Sequence, residues 1–152
     1  MSQQPIARDP IIVYLATDEQ FSIMLTKLPF QHKIEIKATE IDDLGHVNNV
    51  VYIRWVQEVA AAHWEHSAPE VLKSKYAWVV LRHEIDYKNP AFLKDDLTGL
   101  TWVGAHSGPK FDRFVKIQSD KKVLAEAKTT WCLLDAKSFK PIRIPQEILE
   151  LL

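Results

Sequence analysis

From Val50 to about His66 the apolar residues recur at helical spacing. Val51, Tyr52, Trp55, Val56, Val59 and Ala62 share one face, and Arg54, Gln57, Glu58, Ala61 and Glu65 lie opposite. Ser67-Ala68-Pro69 ends the run. Around this helix the chain alternates with period two. Lys33 to Ala38 reads as a half-buried strand. Val79, Leu81, His83, Ile85 and Tyr87 alternate with Val80, Arg82, Glu84, Asp86 and Lys88 until Asn89-Pro90 breaks the pattern. Leu97 to Val103 forms the next strand, ended by Gly104 to Pro109, and Phe111–Ser119 with Val123–Leu134 form a hairpin across Asp120-Lys121-Lys122. A short strand or extended segment covers Phe139 to Ile144, and Pro145 precedes a brief helix. Consecutive strands with short links pair antiparallel, so the class is α+β, with one long helix covering one face of a sheet.

The first thirty residues differ from the rest. Thr17-Asp18-Glu19-Gln20 matches a capping box, and Phe21, Met24, Leu25 and Leu28 share a face before Pro29 stops the helix. Residues 1–30 therefore read as an N-terminal extension with a short helix, packed on the main domain as a flap. Residues 31–152 read as one domain. A chain of 152 residues is of ordinary single-domain size.

Nineteen Lys and Arg stand against twenty Asp and Glu, a net charge of −1. Such a balance gives no electrostatic footprint for nucleic acid or for a polybasic membrane anchor. No apolar run approaches the roughly 20 residues of a membrane span. The stretch Ile11 to Ala16, between Asp9 and Asp18-Glu19, is too short and too acidic at its flanks for a signal peptide. Cys132 is the only cysteine, so no disulfide forms within the chain and a reducing, cytoplasmic setting is expected.

The segment with most chemistry is Asp42-Asp43-Leu44-Gly45-His46-Val47-Asn48-Asn49-Val50-Val51-Tyr52. It puts a carboxylate and a glycine, which lets the backbone approach closely, beside the amide-rich start of the long helix. Free N–H groups and the positive end of the helix dipole suit an oxyanion or a polarised carbonyl. An Asp there supplies a base or a nucleophile, which is enough to hydrolyse an activated ester without a metal. A plainer reading has Asp42 or Asp43 interacting only with the helix dipole.

The string Asp-x-x-Gly-His-Val-Asn-Asn-x-x-Tyr, continued by Ile53-Arg54-Trp55-Val56-Gln57-Glu58, resembles the signature of hotdog-fold thioesterases. It looks most like the 4-hydroxybenzoyl-CoA thioesterase-like acyl-CoA thioesterases, with an echo of the plant acyl-ACP thioesterases. The resemblance runs from about Phe30 to Pro145, and Asp135 to Pro145 is similar to the closing segment of the family. It implies a curved antiparallel sheet of about five to six strands wrapped round one long helix.

By the same resemblance, Asp42 is the catalytic carboxylate and the backbone amide of Asn49 polarises the carbonyl. His46 matches a histidine that is functional in the acyl-ACP relatives. Gly45, Asn48, Val50 and Tyr52 fall at the substrate-binding positions. Those acyl-ACP relatives carry an Asn where Leu44 stands and a strand carboxylate where Pro90 stands, so the single-Asp, acyl-CoA type fits better. Some hotdog enzymes use a helix Glu, here Glu58, but Arg54 one turn earlier suggests a surface ion pair instead. His63 and His66 have a metal-like spacing, although a packed or solvated helix face accounts for them more simply. Cys132 reads as a buried or half-buried bystander.

The expected protein is thus an acyl-CoA thioesterase with acyl-CoA as its substrate and no metal or redox cofactor. It is expected to assemble as a homo-oligomer, a dimer at least or a tetramer, with sites at the subunit interface. Arg82, Lys88, Lys110 and Arg113 are candidates to meet CoA phosphates. The competing readings are a non-catalytic acyl-CoA-binding or sensing protein and an acyl-ACP thioesterase.

Overall fold

Five strands and one long helix form the body of the protein in the computed structural model, which describes residues 28–120 and 122–152. β1 is Phe30–Ile34, followed by a 3-10 turn at Ala38–Glu40 and the long helix α1, Asn49–Ser67. A short helix α2, Glu70–Lys75, leads into β2, Tyr76–Tyr87. β3 (Leu97–Ser107), β4 (Lys110–Ser119), β5 (Val123–Asp135) and the helix α3 (Gln146–Leu151) complete the order. The strands make one antiparallel sheet in the order β1-β3-β4-β5-β2, curved against α1. This is the hotdog arrangement, at the five-strand end of the expected range.

The helix forms where the periodicity places it, and Asn48 caps it by accepting from the Val50 N–H at 3.0 Å. Its inward face, Tyr52, Trp55, Val56 and Val59, is buried against Ile34, Leu97, Val115, Ile117, Leu124, Ala125 and Ala127. Full burial of each aliphatic side chain contributes about 1.5–3 kcal/mol. Gly99 on β3 permits this close packing, since a Cβ there would lie 2.3 Å from Val59 Cγ2. A second cluster forms around Leu72, Tyr76, Phe111, Leu133, Ile144 and Ile148. Trp64 near the end of α1 and Trp78 on β2 pack into it.

Several expectations change. β2 and β3 are consecutive but do not pair; β2 pairs with β5 at the sheet edge. Only a tight turn forces neighbours together, and the link at 88–96 is long enough to pass the start of α1 instead. There Ala91 donates its N–H to the Tyr52 hydroxyl and accepts from the Val47 N–H. The first strand ends at Ile34 rather than Ala38. Ile36 still packs on the core, but from unpaired backbone leading into the 3-10 turn. β3 continues through Gly104 to Ser107, because a bulge between Val103 and His106 absorbs the irregularity. A short helix, α2, fills the link between Pro69 and β2, where no periodic pattern marks one. Of the two readings for Phe139–Ile144, the extended segment holds for residues 140–144, with Pro141 in an isolated bridge to Leu134, while Phe139 has a left-handed φ of +55°. The capping box at Thr17–Gln20 and the body of its helix lie outside the described residues. No described helix is long and apolar enough to cross a membrane.

Candidate active site

The acidic segment before α1 closes on itself. Ile41 bridges to Val47, the Asp42 N–H donates to the His46 carbonyl at 2.9 Å, and the Gly45 N–H donates to the Asp42 carbonyl at 3.0 Å. Gly45 has φ +82°, a conformation that other residues adopt only with strain. Asp42 and His46 consequently meet at the base of the loop, with His46 Nδ1 3.6 Å from Asp42 Oδ2. Asp42 Oδ1 accepts from the Leu44 N–H at 2.9 Å. Glu40 anchors the loop from behind. Its carbonyl accepts from the Asn48 N–H at 2.9 Å, and its buried carboxylate accepts from the Lys37 N–H and pairs with Arg54 at 2.5 Å.

At the start of α1 two of the first amides are already engaged. The Val50 N–H donates to Asn48 Oδ1 and the Val51 N–H to the Asn48 carbonyl, each at 3.0 Å. Among the described residues nothing accepts from the Asn49 N–H. One amide at the positive end of the helix dipole is therefore available to an incoming oxygen.

That helix start opens onto a cleft of about 410 Å³, counting space open to solvent, lined by His46, Asn49, Tyr52, Tyr87, Lys88, Asn89 and Pro90 among others. Tyr52 is buried and accepts from the Ala91 N–H at 3.1 Å. Burial pushes its phenol pKa up, partly opposed by that hydrogen bond. Tyr87 packs edge-on against Tyr52, with ring centroids 5.4 Å apart, and its hydroxyl donates to the Asn49 carbonyl at 3.2 Å. Lys88 pairs with Glu126 at 3.0 Å, and Asn89 Nδ2 donates to the Val123 carbonyl.

The structure thus brings His46, Asn49 and Tyr52 to one cleft. Asp42 touches His46 without itself bordering that space. Gly45 shapes the turn, Asn48 acts as the cap, and Val50 has its N–H occupied. Glu58 lies roughly two and a half turns further along α1 and pairs with His32 at 3.1 Å. The expected Arg54–Glu58 pair is therefore replaced, because the folded loop offers Arg54 the buried Glu40 instead. Tyr87 and Asn89 were missed as site residues; an aromatic ending a strand just before Asn-Pro was their only signal.

Arg113 is a correction. It is 2% exposed, donating to Thr101 Oγ1 and His63 Nδ1 at 3.0 Å each, so it cannot meet a phosphate at the surface. Desolvation pulls its pKa down to about 10. Among the other phosphate candidates, Arg82 pairs with Glu84, Lys88 borders the cleft and Lys110 is exposed. His63 stacks on Phe30, His66 packs against it at a tilt, and Cys132 is buried.

A curved antiparallel sheet around one long helix is the hotdog fold. The chain belongs to the thioesterase-like superfamily, whose profile matches residues 36–152. Thioester hydrolysis is the chemistry of that class. The chain is 26% identical over 127 residues to the long-chain acyl-CoA thioesterase FadM of Escherichia coli, covering 79% of this chain and 94% of that one. The crystal structure of the probable thioesterase YbaW of Escherichia coli superposes with a TM-score of 0.68 at 26% identity, over 82% of this chain and 95% of that one. The PA5185 protein of Pseudomonas aeruginosa superposes with a TM-score of 0.74 at 17% identity, over 84% and 91% of the two chains.

Proposed function

We propose that the protein is an acyl-CoA thioesterase, hydrolysing acyl-CoA to the free acid and CoA. The observation carrying this reading is the unengaged N–H of Asn49, a residue that lines the cleft together with His46, which in turn contacts Asp42. The thioester carbonyl points at that amide, which stabilises the oxyanion as it forms. Asp42 removes a proton from water, directly or through His46, as the water oxygen bonds to the carbonyl carbon, and the tetrahedral intermediate then collapses with CoA thiolate as leaving group. In the other route Asp42 attacks the carbonyl, expels the thiolate and leaves a mixed anhydride that water opens. Likeness to the enzyme named FadM supports CoA as the carrier. Residues 1–30 serve as an extension of a catalytic domain formed by 31–152, and the lone buried Cys132 suits a cytoplasmic setting.

A homodimer is part of the same proposal. β2 is an edge strand, with Val79 38% and Leu81 53% exposed, and it ends at Tyr87 in the cleft. An edge of this length with apolar side chains is a template for strand pairing. A second copy there would cover the edge and wall the cleft.

The test is thiol release from short, medium, long and aryl acyl-CoAs by wild type and Asp42→Asn. The variant is expected to lose at least about a hundredfold in kcat on the preferred substrate while its melting temperature stays close to wild type. Acyl-CoA binding without turnover in the wild type would favour a sensing module, and turnover of acyl-ACP alone would change the carrier. Equal activity in the two proteins would assign the chemistry to another carboxylate.

A further inference from the structure

We infer that Tyr87 is a positioning residue for the Asn49 amide, an inference that rests on the thioesterase reading. Tyr87 ends β2, and its hydroxyl donates to the Asn49 carbonyl at 3.2 Å. Its ring stands edge-on to Tyr52, which is itself fixed by the Ala91 N–H, while the Ala91 carbonyl accepts from the Val47 N–H at 2.8 Å. The end of the edge strand, the link to β3 and the loop carrying His46 are thereby tied to one helix start.

Asn49 needs such a tie. It is exposed, it is the first residue of α1, and its own N–H has no partner among the described residues. The first residues of a helix fray because their donors lack intrahelical acceptors. Here the Tyr87 hydroxyl bonds the Asn49 carbonyl from outside the helix; it fixes the peptide plane that follows Asn49 and, through the Asn49 Cα, limits rotation of the N–H on the residue's other side. An amide aimed at a developing oxyanion loses effect when its direction varies, and that loss falls on the transition state rather than on substrate binding. Tyr87 is 45% exposed, so water can replace its hydrogen bond and the fold gains little from it. Function and stability therefore separate at this hydroxyl.

The experiment compares wild type, Tyr87→Phe and Tyr87→Ala on the preferred thioester, with melting temperature and NMR amide exchange at Val50 and Val51 alongside. Tyr87→Phe keeps the ring against Tyr52 and removes only the hydroxyl. It is expected to lower kcat about two- to tenfold, with KM within twofold and melting unchanged, while the Val50 and Val51 amides exchange faster. Tyr87→Ala, which also removes a wall of the cleft, is expected to lower kcat further and raise KM. A Tyr87→Phe protein with wild-type kcat and wild-type exchange overturns the inference, as does a rise in KM alone. A wild type that hydrolyses no thioester defeats the thioesterase reading itself, and exchange at Val50 and Val51 then decides whether Tyr87 holds the helix start.

Discussion

Arg113 carries a charge into the core, where its hydrogen-bond partners are Thr101 and His63. Thr101 and His63 accept from it, and it lies 5.4 Å over the Phe111 ring, but no carboxylate among the described residues pairs with it. Folding therefore disfavours its charged form. The folded pKa of about 10 lies below the ordinary value, so this penalty is complete below pH 10 and fades as the pH rises from there toward the ordinary guanidinium range. Arg113→Met, which keeps the bulk without the charge, is expected to raise unfolding free energy by roughly 1–3 kcal/mol in urea titrations at pH 7. Asp135 shows the opposite sign. Its carboxylate accepts from the Ser138 N–H, the Ser138 hydroxyl and the Lys137 N–H, and these bonds pull its pKa below the usual range, those of Ser138 most. Its stabilisation is present above the unfolded value near 3.8 and disappears as the pH falls through the lower folded value. Asp135→Asn should melt below wild type at pH 7 and converge with it in the acid range, as calorimetry across pH would reveal.

Element packing turns on one contact between α1 and β3. Val59 fits over Gly99 so tightly that a methyl at position 99 would lie 2.3 Å from Val59 Cγ2. Gly99→Ala is expected to lower stability by about 1–3 kcal/mol, because α1 must shift or Val59 leave its rotamer; denaturant unfolding measures it. The inward face of α1 was legible in the sequence because its spacing is local and regular. The loop carrying Asp42 and His46 was legible for the same reason, since it adjoins the helix start it serves. What stayed hidden depends on partners distant along the chain. Arg54 looked like the partner of Glu58 by the i,i+4 rule, and only the folded loop brings Glu40 to it. Tyr87 enters the site because β2 occupies the far edge of the sheet, a position that alternation within a strand cannot encode.

On the scale of the whole molecule, β2 connects assembly to the cleft. It is an edge strand twelve residues long, it carries a bulge between Val80 and Arg82, and its last residue hydrogen-bonds the start of α1. Leu81 sits in that bulge and is 53% exposed, beside Val79 at 38%. In the proposed dimer these side chains are covered, so the free subunit carries an apolar edge that water disfavours. A lysine in such an edge opposes pairing without disturbing the core beneath it. Leu81→Lys is therefore expected to shift the protein from dimer toward monomer in sedimentation equilibrium, with the Trp55 core intact by near-UV circular dichroism. Activity should fall together with the dimer fraction and recover as protein concentration rises, because Tyr87 and the cleft wall lie at the end of the same strand. A variant that sediments as wild type would place the contact between copies elsewhere, whereas a monomer with undiminished turnover would mean that one subunit holds a complete site.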